Sequence, residues 1–156
     1  MHLRKGRLFM SVQLRSKAEL FYKAFEDLWG AERVWQGSPN NAVWLCTQAI
    51  EKTMKGYLKC FNKDYGYDHN LIKLLDAVEE LTELPKDITD YIQYLNRFEG
   101  KLRYKIMTTD PTKEDAQLTI SRTKTIMGEF AKMPDVSDYI QEAKEVHAKI
   151  LKSIVD

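Results

Sequence analysis

The sequence predicts an all-α protein, an antiparallel up-and-down helical bundle of four main helices plus accessory helices. Six segments carry apolar residues at the three- and four-residue spacing of an α-helix, and no segment shows the alternation typical of a strand. Proline, glycine and capping residues separate these segments at short intervals. Short connections between helices of this length favour antiparallel neighbours.

Length and charge define the class of protein. The chain has 156 residues, of which 44% are hydrophobic and 30% charged, as expected for one globular domain. Its 24 basic and 23 acidic residues nearly cancel, which argues against a surface that binds nucleic acid over its whole extent. Residues 1–15 form a basic N-terminal extension, and residues 16–156 form the domain. No apolar run reaches the ~18 residues of a membrane span or fits a signal peptide, so we expect a cytoplasmic protein with no membrane partner.

The first helix is predicted to begin near Ser16. The sequence "SKAE" fits a capping box, with Ser16 as the cap and the Glu19 side chain reaching back. An apolar stripe of helical period follows, and it includes Trp29, which is expected in the core. Ser38 is expected to cap the second helix, with Pro39 at its first position.

The second helix, "AVWLCTQAIEKTMKGYLKCF" at residues 42–61, has a wide apolar face. Its other side carries a line of polar residues, which are Gln48, Glu51, Lys52, Lys55 and Lys59. Ordinary solvated helix surface with pairs four residues apart would explain this line. An anion-binding surface would explain it too.

Four further helices are predicted. The third starts at about His69, the fourth runs from about Asp87 to Met107, the fifth opens with Thr112 as its cap, and the sixth follows Pro134. Gly100 lies inside the fourth helix at a cost of ~1 kcal/mol relative to alanine, so close helix packing is expected there.

The sequence lacks the motifs of metal and covalent chemistry. Its three histidines are far apart, no Glu-x-x-His pair or zinc spacing occurs, and no glycine-rich phosphate loop is present. We therefore predict no metal, no cofactor and no catalytic residue. Cys46 and Cys60 lie ~21 Å apart on one helix and are expected to be free thiols.

Four segments in this order resemble the HEPN domain family. They are "NNAVWLCTQAIEKTMKGYL", "YDHNLIKLLDAV", "LNRFEGKLRYKI" and "DPTKEDAQLTISRTKTIMGEF", and the resemblance covers roughly residues 16–133. It implies an antiparallel helical bundle that is commonly dimeric. Many members act beside a minimal nucleotidyltransferase partner, some are metal-independent ribonucleases, and others are thought to bind nucleotides without catalysis.

The ribonuclease branch of this family requires an arginine followed four to six residues later by a histidine. The histidine would act as general acid or base, and the arginine would stabilise the phosphorane charge. Arg103 is followed by "YKIMTTDP" and Arg97 by "FEGKLRY", so both lack that histidine. The resemblance is therefore to the non-catalytic branch, and we expect no ribonuclease activity.

A ligand site is predicted at one end of the bundle, where the second and fourth helices finish and the third begins. Its candidate residues are Lys52, Lys55, His69, Arg103 and Tyr104. Two cations beside a helix N-terminus suit a phosphate group, and an aromatic ring suits a base. Each residue also has a plain alternative: solvated surface for the lysines, capping or packing for His69, a local pair with Glu99 for Arg103, and core packing for Tyr104.

The interpretation that follows is a non-catalytic HEPN-like module. It would bind a nucleotide or a nucleic-acid phosphate such as RNA, or dock a nucleotidyltransferase protein, or both. A homodimer is expected from the resemblance and from the aromatic residues Trp35 and Trp44. Two alternatives remain open, an endoribonuclease toxin of a toxin–antitoxin pair with a degenerate active site and a purely structural dimerisation module.

Overall fold

A computed structural model describes residues 13–65, 69–104 and 110–155 of the chain, and the side chains of 98–104 and 155 lie outside that description. The predicted all-α class is confirmed, because every regular element in these ranges is helical. A 3-10 turn at Ser16–Ala18 precedes the helices. These are α1 (Glu19–Val34), α2 (Pro39–Cys60), α3 (Leu71–Glu79), α4 (Lys86–Tyr104), α5 (Lys113–Ala131) and α6 (Pro134–Val155).

Helix α2 is the central element of the bundle. It packs against α1 most extensively, against α5 next, and also against α3 and α4. Its predicted apolar face is buried, with Ile50 and Met54 fully inaccessible. The close contact with α1 depends on Gly56, since a Cβ atom there would stand 2.9 Å from the ring of Phe21. This close approach brings side chains of α1 within reach of the polar residues of α2.

Helix α6 covers the side of α1 and α5, where it buries Val136, Ile140, Ala143 and Val146. It also holds the start of the described chain. The backbone N–H of Arg15 donates to Glu142 at 2.7 Å, and the Arg15 guanidinium pairs with the same carboxylate. That guanidinium lies 4.5 Å from the centre of the Tyr139 ring.

The prediction of a capping box at Ser16 is wrong. Arg15 is the residue that precedes the first turn, and no side chain caps either that turn or the start of α1. A carboxylate of α6 takes up the Arg15 N–H instead. A distant acidic side chain therefore replaces the local cap.

Other helix ends follow the predicted capping residues more closely. Thr112 caps α5 in a complete capping box with Asp115. Ser38 precedes α2 and Pro39 opens it, although the Ser38 side chain makes no capping bond. The third helix begins at Leu71, two residues later than predicted, because Asn70 caps it. Gly100 lies outside the described side chains, so its packing stays a prediction.

Trp29 was expected in the core, and that prediction is wrong. Its side chain is 37% exposed, while Trp35 and Trp44 are half-buried. Leu28, one residue earlier, occupies the buried centre of the stripe and leaves Trp29 at its edge, where the Arg33 guanidinium lies 4.7 Å from its ring. Within the described ranges, no helix has the length and apolar character to cross a membrane.

Candidate functional site

The second half of α2 carries a buried carboxylate that joins two of the predicted site residues. Glu51 is 3% exposed. Its Oε2 atom accepts a hydrogen bond from Lys55 Nζ at 3.1 Å and lies 3.0 Å from His69 Nδ1. Lys55 and His69 therefore meet through Glu51, a residue that the sequence interpretation had left in the general polar line.

His69 is half exposed, and its ring orientation is fixed by Glu51. A carboxylate only accepts hydrogen bonds, so the His69 Nδ1–H donates to it. In the neutral ring this assignment leaves Nε2 as the free nitrogen on the other side, able to accept a hydrogen bond or, once protonated, to donate one.

Lys55 is largely removed from solvent, with 8% of the residue exposed. Besides Glu51, it faces the ring of Tyr65, whose centre lies 5.5 Å from Nζ. This distance is within the range of a cation–π contact. The positive charge of Lys55 is thus compensated within the protein, and the pair of Lys55 and Glu51 has no net charge.

Side chains accept the hydrogen bonds of the first backbone N–H groups of α3. The Asn70 side chain accepts from the backbone N–H groups of Ile72 and Lys73 at 2.9 and 3.3 Å. Asn96 of α4 accepts from the Leu71 N–H at 3.2 Å. The predicted contribution of free helix N–H groups to a phosphate site is therefore wrong, because Asn70 and Asn96 already use these donors.

The remaining lysines of the polar line point elsewhere. Lys52 Nζ donates to Asp27 of α1 at 2.6 Å, and burial nevertheless raises the pKa of the Asp27 carboxyl above its ordinary value. Lys59 Nζ donates to the Ser16 carbonyl at 3.2 Å. Lys52 thus belongs to the α1–α2 contact, and the structure does not bring it together with Lys55 and His69.

Arg103 and Tyr104 lie at the end of α4, and their side chains are outside the described part of the chain. Their places in a ligand site stay predictions. The helix path nevertheless limits the geometry. Asn96 touches the start of α3, and Arg103 follows seven residues later, about 10 Å along the helix axis. The Arg103 backbone therefore lies about two helical turns beyond the residue of α4 that touches the start of α3.

One oxygen of Glu51 is unusual. Its Oε1 atom is buried and has no hydrogen-bond partner among the described residues. Carboxylate oxygens in such surroundings normally have a donor. The sequence signal for this residue was its position directly beside Ile50, in the middle of the apolar face of α2, together with the four-residue spacing to Lys55.

No group of three or more metal-ligating side chains comes together within the described ranges. A concave feature lies away from these residues, between α1, α5 and α6, with a volume of about 550 Å³. Sequence reasoning missed it, because its walls come from three helices that are separated in the chain.

The HEPN domain family model matches residues 13–133. The chain belongs to the HEPN domain family. The crystal structure of ST0689, an archaeal HEPN homologue, is similar to this HEPN domain with a TM-score of 0.60 and 23% sequence identity, over 75% of this chain and 96% of that chain. No curated protein matches the sequence. Helix α6 begins at Pro134, just beyond the range that the family model covers.

Proposed function

We propose that this HEPN domain binds a nucleotide or a nucleic-acid phosphate, without catalysis, at the end of the bundle where α3 begins. The observation that carries the proposal is the cluster of Glu51, Lys55 and His69. It orients an exposed imidazole at a solvent-facing position beside α4.

The electrostatic balance of this cluster assigns a different role to each residue. Glu51 and Lys55 neutralise one another, so neither supplies free charge to an anion. The attraction has to come from protonated His69 and from Arg103, whose planar guanidinium suits phosphate oxygens. Lys55 and Glu51 then serve to position the imidazole.

The experiment is a calorimetric titration of the purified protein with nucleoside mono- and triphosphates, a short RNA and inorganic phosphate. We expect His69→Gln and Arg103→Ala each to weaken nucleotide binding by about ten- to a hundredfold, the effect of ~1.5–3 kcal/mol for one charge-assisted contact.

Lys86→Gln is the matched control. Lys86 is exposed at the first turn of α4, far along the helix from Arg103, and pairs with Asp90 one turn further on. Its removal should change nucleotide affinity little. Absence of binding at about 1 mM nucleotide, or equal affinity in the wild type and both site variants, would refute the proposal.

The endoribonuclease alternative has one observation in its favour. A histidine oriented by a carboxylate is an arrangement that general acid–base catalysis uses, and Glu51 with His69 has this arrangement. We expect RNA to stay intact with and without divalent ions. Cleavage that is lost in His69→Gln would replace the non-catalytic proposal with this one.

A homodimer and a nucleotidyltransferase partner belong to the same proposal. An exposed patch on α4 and α5, formed by Tyr94 and Leu118, supports protein contact, because their side chains are 42% and 51% exposed. We propose that a second copy of the chain covers it. Sedimentation of the wild type should show a dimer, and Leu118→Glu should shift it to a monomer. A wild-type protein that is monomeric at high micromolar concentration would refute this proposal.

A further inference from the structure

The groove between α1, α5 and α6 has the dimensions of a small-molecule site. Its volume of about 550 Å³ lies within the ~300–1,000 Å³ of typical ligand pockets. Most of its lining is apolar and comes from all three helices, with Phe25 and Leu28 from α1, Met127 from α5, and Ile140 and Leu151 from α6.

The groove stays open because its floor is made of small residues. Gly128 of α5 faces it, and a Cβ atom built on Gly128 meets no other atom within 4 Å. Ala131 and Ala148 line it on either side. Larger residues at these positions would close the space between the helices.

An aromatic wall bounds the groove. The ring of His147 stacks on Phe25 with centroids 6.3 Å apart and meets the edge of Tyr22 at 5.8 Å. Burial lowers the pKa of His147, and the opposing effect of the nearby Glu26 carboxylate is smaller. His147 is therefore an uncharged part of the wall near neutral pH.

The charged side chains that line the groove include one more cation than anions. Lys124 pairs with Glu32 at 2.9 Å, so these two side chains neutralise one another. Lys144 lines the groove from α6 and is in no ion pair with any described residue. The lining as a whole carries a single net positive charge, placed beside a predominantly apolar space.

We propose that this groove binds a small organic monoanion, with an apolar body between α1, α5 and α6 and a carboxylate at Lys144. The complementarity of one uncompensated lysine with one carboxylate selects an anion over a neutral compound. The proposal is independent of the phosphate site, because none of its residues belongs to α2, α3 or α4. It depends on α6, which begins beyond the range of the family model.

Two carboxylates test the proposal and distinguish two sources of such a ligand. Dodecanoate represents aliphatic acids and 2-naphthoate represents aromatic acids, while dodecanol is the uncharged equivalent of the former. Calorimetry should show saturable binding of at least one carboxylate, with dodecanol weaker than dodecanoate. The carboxylate that binds more tightly identifies the class of ligand.

Three variants locate the site. Gly128→Leu fills the groove and should weaken carboxylate binding at least tenfold. Lys144→Gln should weaken it about two- to fivefold, as for an exposed ion pair, and leave dodecanol unchanged. Lys149→Gln is the matched control, since Lys149 is an exposed lysine of α6 outside the lining.

Circular dichroism and thermal unfolding first establish that each variant is folded. If Gly128→Leu is not, Ala148→Phe fills the same groove from its exposed side. Two results overturn the proposal. One is the absence of saturable binding of either carboxylate at about 1 mM, and the other is unchanged affinity in a folded groove-filling variant.

Discussion

Replacing Gly56 and Gly128 by alanine makes the same chemical change at two helix positions with different surroundings. Both glycines lie inside helices, Gly56 in α2 and Gly128 in α5. A Cβ atom at Gly128 meets nothing within 4 Å, whereas one at Gly56 stands 2.9, 3.0 and 3.1 Å from three atoms of the Phe21 ring. The structure therefore predicts effects of opposite sign on stability.

At Gly128 only the backbone contribution changes. Alanine is favoured over glycine in a helix interior by about 0.5–1 kcal/mol, because it restricts the unfolded chain more. The new methyl group enters open space, so no packing cost opposes this gain. We expect Gly128→Ala to raise the free energy of unfolding by about that amount.

At Gly56 a packing cost opposes the same gain. The Phe21 side chain is 1% exposed and fully surrounded by the core, so its ring cannot move into solvent to make room. Overpacking of a dense core costs about 1–3 kcal/mol. After the gain of up to about 1 kcal/mol from helix propensity, Gly56→Ala should lower the free energy of unfolding by about 1–2 kcal/mol.

Urea unfolding monitored by circular dichroism measures both effects, provided that the slope of the transition is unchanged. A Phe21→Leu background supplies the control. The smaller side chain gives room, so Gly56→Ala should cost less there than in the wild type, and the double-mutant cycle gives the coupling. Equal stabilisation by the two glycine substitutions in the wild type would refute the close contact of α1 with α2.

Three further predictions concern titratable side chains. Burial lowers the pKa of His147, so the imidazole binds a proton more readily in the unfolded chain than in the folded protein. The free energy of unfolding should therefore fall as the pH drops below about 6.5. In a pH series of urea unfolding midpoints, His147→Leu should reduce this fall. Burial raises the pKa of the Cys46 thiol to about 12, so iodoacetamide should label the half-buried Cys60 first in the native protein. Peptide mapping measures the two labelling rates, and equal rates would contradict the burial of Cys46. Lys52→Met leaves the carboxylate of Asp27 without its cation and should lower the free energy of unfolding by about 1–3 kcal/mol, measured with urea. Asp27→Asn keeps an oxygen that can accept the hydrogen bond from Lys52, so it should lower the free energy of unfolding less.

The sequence predicted the helices well, because their signals are local. Apolar residues at helical spacing and the Thr112 cap depend on side chains within a few positions of one another, and the structure contains them. The failure at Ser16 has the opposite cause. The donor that precedes the first turn is taken by Glu142, 127 residues away, and no local pattern indicates that contact.

The candidate site was predictable only in part for the same reason. The spacing of Glu51 and Lys55 indicated a pair, and the structure has it, buried where solvated surface was the simplest expectation. The sequence could not predict that Lys52 and Lys55 pair with different carboxylates. The partner of each lysine depends on which helix packs beside it. Asn96 closes the start of α3 from another helix and was missed for that reason.

The pair of Glu51 and Lys55 itself bears on function. Desolvation of two charges offsets most of the gain from their attraction, so a buried ion pair stabilises a fold little and apolar residues of similar size often do as well. Here the cost is higher, because one oxygen of Glu51 has no partner among the described residues. Stability alone therefore gives a poor reason for a carboxylate inside the apolar face of α2. The contact that this carboxylate makes outside its own helix is with His69, at 3.0 Å. Orientation of an exposed imidazole accounts for the buried charge better than folding does, and this supports the proposal that the α3 end of the bundle binds a ligand.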